Sequence, residues 1–257
     1  MRSNRQTSRS LWSVASLLFV VAIWYAVWRF GGFIQYALPS PMEVGEALVR
    51  MTVSGEMFRD LGASVSRLVA AVIIGAITGI VVGAAIAVNK HVARSVAPLL
   101  TFFNALGGIA WIPLAILWFG VGASAILFVI WNSVFFQIVF NTFNGIRQVP
   151  MVYRRAAATM GASRWQVFWD VLLPGALPSL ITGLRTGISF GWRTLIAAEM
   201  IGALTGIGVL IITASRFFRS DRIFAGIIVI GIVWLFIDRV LLRTLEGLTI
   251  RRWGMME

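Results

Sequence analysis

Six apolar runs alternate with polar connections along the chain. Because about 20 mostly apolar residues cross a bilayer as an α-helix, each run is long enough, or nearly so, to be a membrane span. The pattern predicts an all-α integral membrane protein, a single transmembrane domain over residues 1–257. Its six transmembrane helices are expected at about 11–30, 65–88, 96–118, 122–143, 177–203 and 223–242.

The first run resembles a secretory signal, because Arg2, Arg5 and Arg9 precede it. It is longer than a typical signal core, however, and no small-x-small cleavage site follows cleanly at 29–36. We therefore interpret it as a retained first span.

The basic residues of the short connections predict the orientation, since these residues favour the cytoplasmic side. The connections at 31–63 and 119–122 carry little net positive charge, as expected for the outer side. The connection at 204–222 is positively charged and weakens this alternation of charge. We expect both termini on the cytoplasmic side, together with these basic residues: Arg2, Arg5, Arg9, Lys90, Arg94, Arg147, Arg154, Arg155, Arg164, Arg243, Arg251 and Arg252.

Composition supports a membrane protein and excludes several kinds of chemistry. The chain is 59% hydrophobic and only 12% charged, and its formal net charge of +12 comes from arginines that flank the apolar runs, which does not indicate nucleic-acid binding. The chain has no cysteine, and its one lysine, Lys90, lies outside any phosphate-binding loop. The single histidine, His91, is interpreted as a loop residue. We expect neither an enzyme nor a bound cofactor or metal.

Two apolar runs carry packing information. In the second, Gly75, Gly79 and Gly83 recur every four residues and predict one helix face that a neighbouring backbone can approach closely. In the third, a GG pair at 107–108 and Pro113 predict a weakened or kinked helix. That kink could line a cavity or simply be packed, and the sequence leaves both open.

The stretch RAAATMGASRWQVFWDVLLPGALPS, at 155–179, is predicted to form two short helices between the fourth and fifth spans, within a cytoplasmic loop at 144–176. An alanine-rich helix ends at Gly161 as a left-handed C-cap. A second helix starts at Ser163, which forms a capping box with Gln166. Pro174 is expected to end the second helix, and Pro178 to lie in the first turn of the fifth span.

The second helix carries an apolar stripe at i, i+3, i+4, i+7 spacing: Trp165, Phe168, Trp169 and Leu172. The stripe could rest on the membrane surface or dock another protein. The alanines of the first helix favour docking, because small side chains allow a partner to approach closely.

The loop resembles the cytoplasmic EAA loop of ABC importer permeases, whose motif is EAA, three residues, G, nine residues and I-x-LP. The spacing matches throughout, at Ala156, Ala157, Gly161, Val171, Leu173 and Pro174. Arg155 stands where the motif has Glu, and Val171 where it has Ile. Four further stretches are similar to the nitrate, taurine and aliphatic sulfonate branch: LPSP at 38–41, WIPLAILWFG at 111–120, LLPGALPSLITGLR at 172–185 and AAEMIG at 197–202.

The resemblance implies a permease in the bacterial inner membrane that pairs with a second copy of itself. A dimer of cytoplasmic ABC ATPase subunits would bind ATP and Mg²⁺, and an extracytoplasmic binding protein would deliver the substrate. The first helix of the EAA loop would rest in a groove of the ATPase. This role maps onto Arg154, Arg155, Ala156, Ala157, Gly161, Ala162, Ser163, Leu173 and Pro174.

Polar side chains at membrane depth are the candidates for a substrate pathway, because burying them in a bilayer is costly. Arg193 and Glu199 in the fifth run are the main ones; they point about 240° apart on an ideal helix and should not pair directly. Asn132, Gln137 and Trp111 are weaker candidates. Arg193 could instead snorkel or pair with an acid, Glu199 could have a structural partner, and interhelical hydrogen bonds would explain Asn132 and Gln137 equally well.

The leading prediction is the permease subunit of an ATP-driven importer for a small anion of the sulfonate, taurine or nitrate type. The alternatives are a permease for a neutral vitamin precursor, an ion-coupled secondary carrier and a membrane scaffold. A carrier would not need the two-helix loop, and a scaffold would not explain Arg193.

Overall fold

The computed structural model describes residues 3–31 and 37–242, and every regular element in this part of the chain is helical. The predicted all-α class is therefore confirmed. The helices are α1 (Ser3–Phe30), α2 (Pro41–Val53), α3 (Glu56–Val88), α4 (Lys90–Leu106), a 3₁₀ turn (Gly108–Trp111), α5 (Ile112–Phe119), α6 (Ala123–Gln148), α7 (Met151–Thr159), α8 (Arg164–Gln166), a π turn (Val167–Leu172), α9 (Leu173–Gly202), α10 (Ile207–Arg216), α11 (Ser220–Phe236) and a second π turn (Ile237–Leu242).

Within the described residues, four helices are long and apolar enough to cross a membrane: Glu56–Val88, Ala123–Gln148, Arg164–Gly202 and Ser220–Val240. A bent pair, Lys90–Leu106 with Gly108–Phe119, makes a fifth candidate. The predicted count of six stays a prediction. Arg2, the region at 32–36, and Arg243, Arg251 and Arg252 lie outside the described residues.

The described residues fall into two compact units, those within 1–59 and 210–229, and those within 60–209 and 230–257. In the first unit, α2 buries Val44, Ala47 and Met51 against Leu210 and Ala225. Every candidate coupling and pathway residue lies in the second unit.

The second unit is built around α6, which packs closely on α3. A Cβ atom on Gly75, Gly79 or Gly83 of α3 would come within 2.8–3.0 Å of the side chain of Val134, Ile138 or Thr142, respectively. The predicted glycine face is therefore confirmed. Each glycine lets the two backbones approach, which maximises van der Waals contact where lipid gives no hydrophobic driving force.

A second glycine stripe, on α9, also packs against α6 and was not predicted. A Cβ atom on Gly183 would meet Asn141 at 2.7 Å, and one on Gly191 would meet Val134 at 2.8 Å. Gly187 lies between them, near Ile138. Val134 and Ile138 are consequently fully buried between α3 and α9.

The third predicted span is broken, as its glycines and proline indicated. Helix α4 ends at Leu106, Gly107 adopts a φ of +62°, and the chain continues through the 3₁₀ turn into α5 with an overall bend of 83°. Pro113 lies in the first turn of α5, where its missing N–H costs little. The break is thus made by the glycines, and Pro113 starts the next helix.

The prediction that Pro174 ends the second loop helix is wrong, because one continuous helix runs from Arg164 to Gly202. Before Pro174 the helix widens into the π turn, in which the Leu173 N–H bonds to the carbonyl of Phe168. This wider turn accommodates a residue that lacks an N–H and would clash with the preceding turn of a regular helix. Pro178 lies inside α9 and not at its start. Only α7 remains as a separate helix between Gln148 and Arg164.

Candidate functional site

The loop between α6 and α8 contains a sharp elbow at Gly161, as predicted. Gly161 has a φ of +82°, and the N–H groups of Ala162 and Gly161 donate to the carbonyls of Ala157 and Ala158, each at 3.1 Å. These two bonds form a Schellman motif, which satisfies carbonyls that the end of α7 leaves free.

The helix after the elbow begins with the predicted capping box. Ser163 Oγ accepts a hydrogen bond from the Gln166 N–H at 3.3 Å, and Gln166 Oε1 accepts one from the Ser163 N–H at 2.8 Å. Since the two bonds satisfy N–H groups on both sides of the cap, they fix where the long helix starts.

Helix α7 has no buried residue. Arg155 and Ala156 are exposed, Arg154 and Ala157 are half-buried, and the side chain of Met160 just beyond the helix is 86% exposed. The helix carries two arginines and no acidic residue, and neither arginine has an ion pair among the described residues. It is a free, positively charged surface.

A groove runs between α7 and the start of the long helix that contains α9. Tyr153, Ala156, Ala157 and Met160 line one side of it, and Val171 with Gly175 lines the other. The small side chains of the two alanines keep the groove open.

The aromatic stripe divides into an exposed part and a buried part. The rings of Trp165, Phe168 and Trp169 contact one another with centroids 5.4–6.0 Å apart. Trp165 and Trp169 are exposed, whereas Leu172 is buried among side chains of α6 and α9. The exposed tryptophans extend the surface presented by α7.

Glu199 is buried and fully occupied by hydrogen-bond donors. Its carboxylate accepts from Arg67 Nη1 and Ser64 Oγ, each at 2.8 Å, and from the Gly208 N–H at 3.1 Å. Burying a carboxylate requires such partners. Arg67 is 132 residues away in the chain, so its role could not be seen in a local sequence pattern.

Residues that bind or adjoin the Glu199 carboxylate also cap the N-terminus of α10. Ser64 Oγ also accepts from the Ile207 N–H at 3.0 Å, and Asp60 accepts from the Gly206 N–H at 3.4 Å. Arg67 donates to the carbonyl and the hydroxyl of Thr205. These bonds tie the connection after α9 to α3.

Arg193 has a different environment. Its side chain is exposed, and its guanidinium carbon lies 5.8 Å from the centroid of the Phe190 ring. No described carboxylate pairs with Arg193, and Glu199 pairs with Arg67 instead, in agreement with the expectation that Arg193 and Glu199 do not meet. Arg193 is thus an uncompensated charge within an apolar helix.

The structure brings Asn132 and Gln137 together at a cleft, which we call the amide cleft. Asn104 of α4 completes its polar lining and was missed in the sequence, because nothing local distinguishes it from other helix-end residues. Trp111 does not line the cleft but packs on Phe103, with ring centroids 6.1 Å apart. The lining of the amide cleft is Phe103, Asn104, Gly107, Gly108, Asn132, Ser133, Phe136, Gln137 and Phe190.

Comparison with known proteins places the chain among transport proteins. The family model for the binding-protein-dependent transport system inner membrane component matches residues 71–243. The taurine transport system permease protein TauC of Escherichia coli (strain K12) is 35% identical, over 90% of this chain and 84% of that protein. The putative aliphatic sulfonates transport permease protein SsuC of Bacillus subtilis (strain 168) is 31% identical, over 83% and 78%. The bicarbonate transport system permease protein CmpB of Synechococcus elongatus is 35% identical, over 71% and 66%.

Solved structures show the same fold. An inward-facing structure of the MetNI methionine ABC transporter has a chain that superposes with a TM-score of 0.59 at 19% identity, covering 76% of this chain and 98% of that one. A second crystal form gives a TM-score of 0.56. With the match of the family model and the relatives above, these findings show that the chain belongs to the family of binding-protein-dependent transport system inner membrane components, the permease subunits of ABC transporters.

Proposed function

We propose that this permease imports a small anion of the sulfonate, taurine or nitrate type. The observation that carries the proposal is Arg193, an exposed cation in the apolar helix α9 without a carboxylate partner among the described residues. An intramembrane charge is costly and is kept where it serves a pathway or a ligand. A cation there attracts an anion.

The names of the relatives agree with this chemistry. Two of them are named for taurine and for aliphatic sulfonates, and a third for bicarbonate. All three solutes are small and carry an oxyanion group, which is the chemistry that an unpaired guanidinium binds well.

Helix α7 is proposed to transmit ATP binding and hydrolysis from the partner ATPase to the spans. None of its residues is buried, and Gly161 and the capping box at Ser163 connect it to the continuous helix Arg164–Gly202. A displacement of α7 is therefore passed directly to α9, which carries Arg193. Leu173 and Pro174 lie within this connection.

The assembly is proposed to contain a second copy of the chain, two ATPase subunits and an extracytoplasmic binding protein. The basic residues of α7, together with Lys90 and Arg94 at the start of α4, favour the cytoplasmic side for these elements. Both termini would then also be cytoplasmic.

Growth on a sulfur source tests this function. A bacterial strain that lacks its own taurine and alkanesulfonate permeases should grow on taurine as sole sulfur source when it produces this chain with its partner ATPase and binding protein. Omission of the ATPase should abolish growth. Growth without the ATPase would refute ATP-driven import.

A further inference from the structure

We propose that a pocket at the ends of α3 and α6 binds the phosphate headgroup of an anionic phospholipid. The pocket, which we call the basic pocket, lies where the end of α3, the start of α4 and the junction of α6 with α7 meet. It has a volume of about 630 Å³, and its lining includes Lys90, Arg147 and Arg154. The inference goes beyond the proposed function, because it concerns a lipid and not the imported solute.

Three cations converge on the basic pocket without a compensating acid. Lys90, Arg147 and Arg154 have no ion pair with any described residue, and α4, α6 and α7 contain no aspartate or glutamate. Arg147 is held in place by Phe143, because its guanidinium carbon lies 5.3 Å from the centroid of that ring. The preference of basic residues for the cytoplasmic side explains cations in this region but not their convergence on one cavity. The pocket is therefore complementary to an anion.

The start of α7 adds to the positive potential of the basic pocket. Pro150, the N-cap of α7, and Met151, its first residue, both line the pocket. Proline has no side-chain group that could accept a hydrogen bond, and the first turn of α7 contains no acidic residue. The free N–H groups and the dipole of a helix favour an anion at this end. They supplement the charge of the three side chains.

The position of the basic pocket favours a phospholipid over a water-soluble anion. Helix α3 ends at Val88 and α6 at Gln148, both residues line the pocket, and both helices are long and apolar enough to cross a membrane. Their common end thus lies near the level of the lipid headgroups. Exposed apolar side chains continue from Val88 along α3 at Val81 and Ile77. Their spacing places the three on one helix face, along which the acyl chains can lie.

The charge of the basic pocket predicts selectivity between phospholipids with the same acyl chains. The headgroup of phosphatidylglycerol has a net negative charge, whereas that of phosphatidylethanolamine adds an ammonium group to the phosphate. Among its lining residues the pocket offers no carboxylate to pair with that ammonium. Clusters of basic residues at a membrane surface bind anionic headgroups. We therefore expect phosphatidylglycerol to bind more tightly than phosphatidylethanolamine.

Native mass spectrometry of the purified permease–ATPase complex in detergent tests the site. The complex is titrated with phosphatidylglycerol and, in parallel, with phosphatidylethanolamine of the same acyl chains. We expect phosphatidylglycerol to bind saturably and more tightly. Arg147→Gln should weaken this binding about fivefold, the contribution of one basic residue near a membrane surface. Arg147→Lys, which keeps the charge, should retain most of the affinity.

Arg94→Gln is the matched control. It removes the same charge from an exposed position on α4 that does not line the basic pocket, and it should leave the binding of phosphatidylglycerol nearly unchanged. Lys90→Gln, also at an exposed position, is a second pocket variant in case Arg147→Gln does not assemble. Equal losses in Arg94→Gln and the pocket variants would mean a diffuse positive surface and overturn the site. Wild-type affinity in both pocket variants, equal binding of the two lipids, or no binding to the complex would also overturn it.

Glycerol phosphate distinguishes a lipid site from a site for soluble phosphates, because it has the phosphate without the acyl chains. We expect it to displace phosphatidylglycerol only in large molar excess, since it lacks the contacts along α3. Displacement at equimolar concentration would assign the basic pocket to a soluble phosphate and overturn the lipid site. None of these outcomes affects the proposed import of an anion.

Discussion

At the residue scale, Gly161 is constrained by its backbone conformation and not by its surroundings. Its φ of +82° lies in the left-handed region, and a Cβ atom there would meet nothing within 4 Å. A side chain at Gly161 would therefore be opposed by the backbone conformation alone, at a cost of about 1–2 kcal/mol.

Replacing Gly161 with Val should change the angle of the elbow and uncouple hydrolysis from transport. We expect the solute imported per ATP hydrolysed to fall severalfold in proteoliposomes, while the proposed pairing of two permeases is retained. Gly55→Val is the matched control, because Gly55 has a φ of +75° and equally open surroundings but lies outside the loop. Loss of pairing in Gly161→Val would show that the elbow serves assembly and not coupling.

A substitution of Glu199 distinguishes a structural role of its carboxylate from a role in the solute pathway. Removing one partner of a buried ion pair leaves the other unpaired, so Glu199→Ala should lower the free energy of unfolding by about 3–5 kcal/mol. Thermal unfolding of the purified protein in detergent measures this. Glu46→Ala should change it by less than about 1 kcal/mol, because Glu46 and Arg50 form an exposed pair.

The opposite pattern for Glu199 would assign it to the pathway. Unchanged thermal stability with lost transport would mean that the carboxylate acts on the solute or a coupled ion. The structure favours the structural role because Ser64, Arg67 and the Gly208 N–H already occupy the carboxylate.

Among the elements, α6 is closely packed by glycine stripes on two neighbours, α3 and α9, which both contact Val134 and Ile138. Gly83→Val should destabilise this packing, since a Cβ atom there would lie 2.8 Å from the carbonyl oxygen of Val139, a backbone atom that cannot easily move. Overpacking of this kind costs about 1–3 kcal/mol. Thermal unfolding in detergent should show it.

Gly62→Val is the control on the same helix, because a Cβ atom at Gly62 meets nothing within 4 Å. It should leave the unfolding temperature nearly unchanged. Equal effects of the two substitutions would mean that helix propensity, and not close packing, explains the glycines of α3.

The elements show why sequence reasoning succeeded in some places and failed in others. The Gly75, Gly79 and Gly83 face, the break near Gly107 and the capping box at Ser163 were predicted, because each is set by residues close in the chain. Pro174 was assigned wrongly, because a π turn relieves the proline and local rules do not anticipate it. The α9 stripe, Gly183, Gly187 and Gly191, has the same four-residue spacing and was not predicted.

At the scale of the whole molecule, the family could be inferred from the EAA-type spacing, and the family model and the relatives confirm it. The sites formed by distant residues could not be inferred. Arg67 reaches Glu199, and Asn104 joins Asn132, only because the broken span and α3 pack on the α6–α9 pair. The structure of this pair, and not any local motif, assembles the cleft.

The orientation follows from the same whole-molecule picture and remains a prediction. If α7 is the ATPase contact, it lies on the cytoplasmic side with its two arginines. The positive charge of α7 then faces the ATPase. Arg155 gives this contact a positive charge at the position where the glutamate of the motif gives a negative one.

Uptake by proteoliposomes is the measurement that tests ATP-driven import most directly. The chain, its ATPase and its binding protein are reconstituted, and uptake of radiolabelled taurine is followed with ATP, without ATP, and with an ATPase whose phosphate-binding lysine is replaced. The account predicts uptake only with ATP and an intact ATPase. Uptake that persists without the ATPase would contradict it.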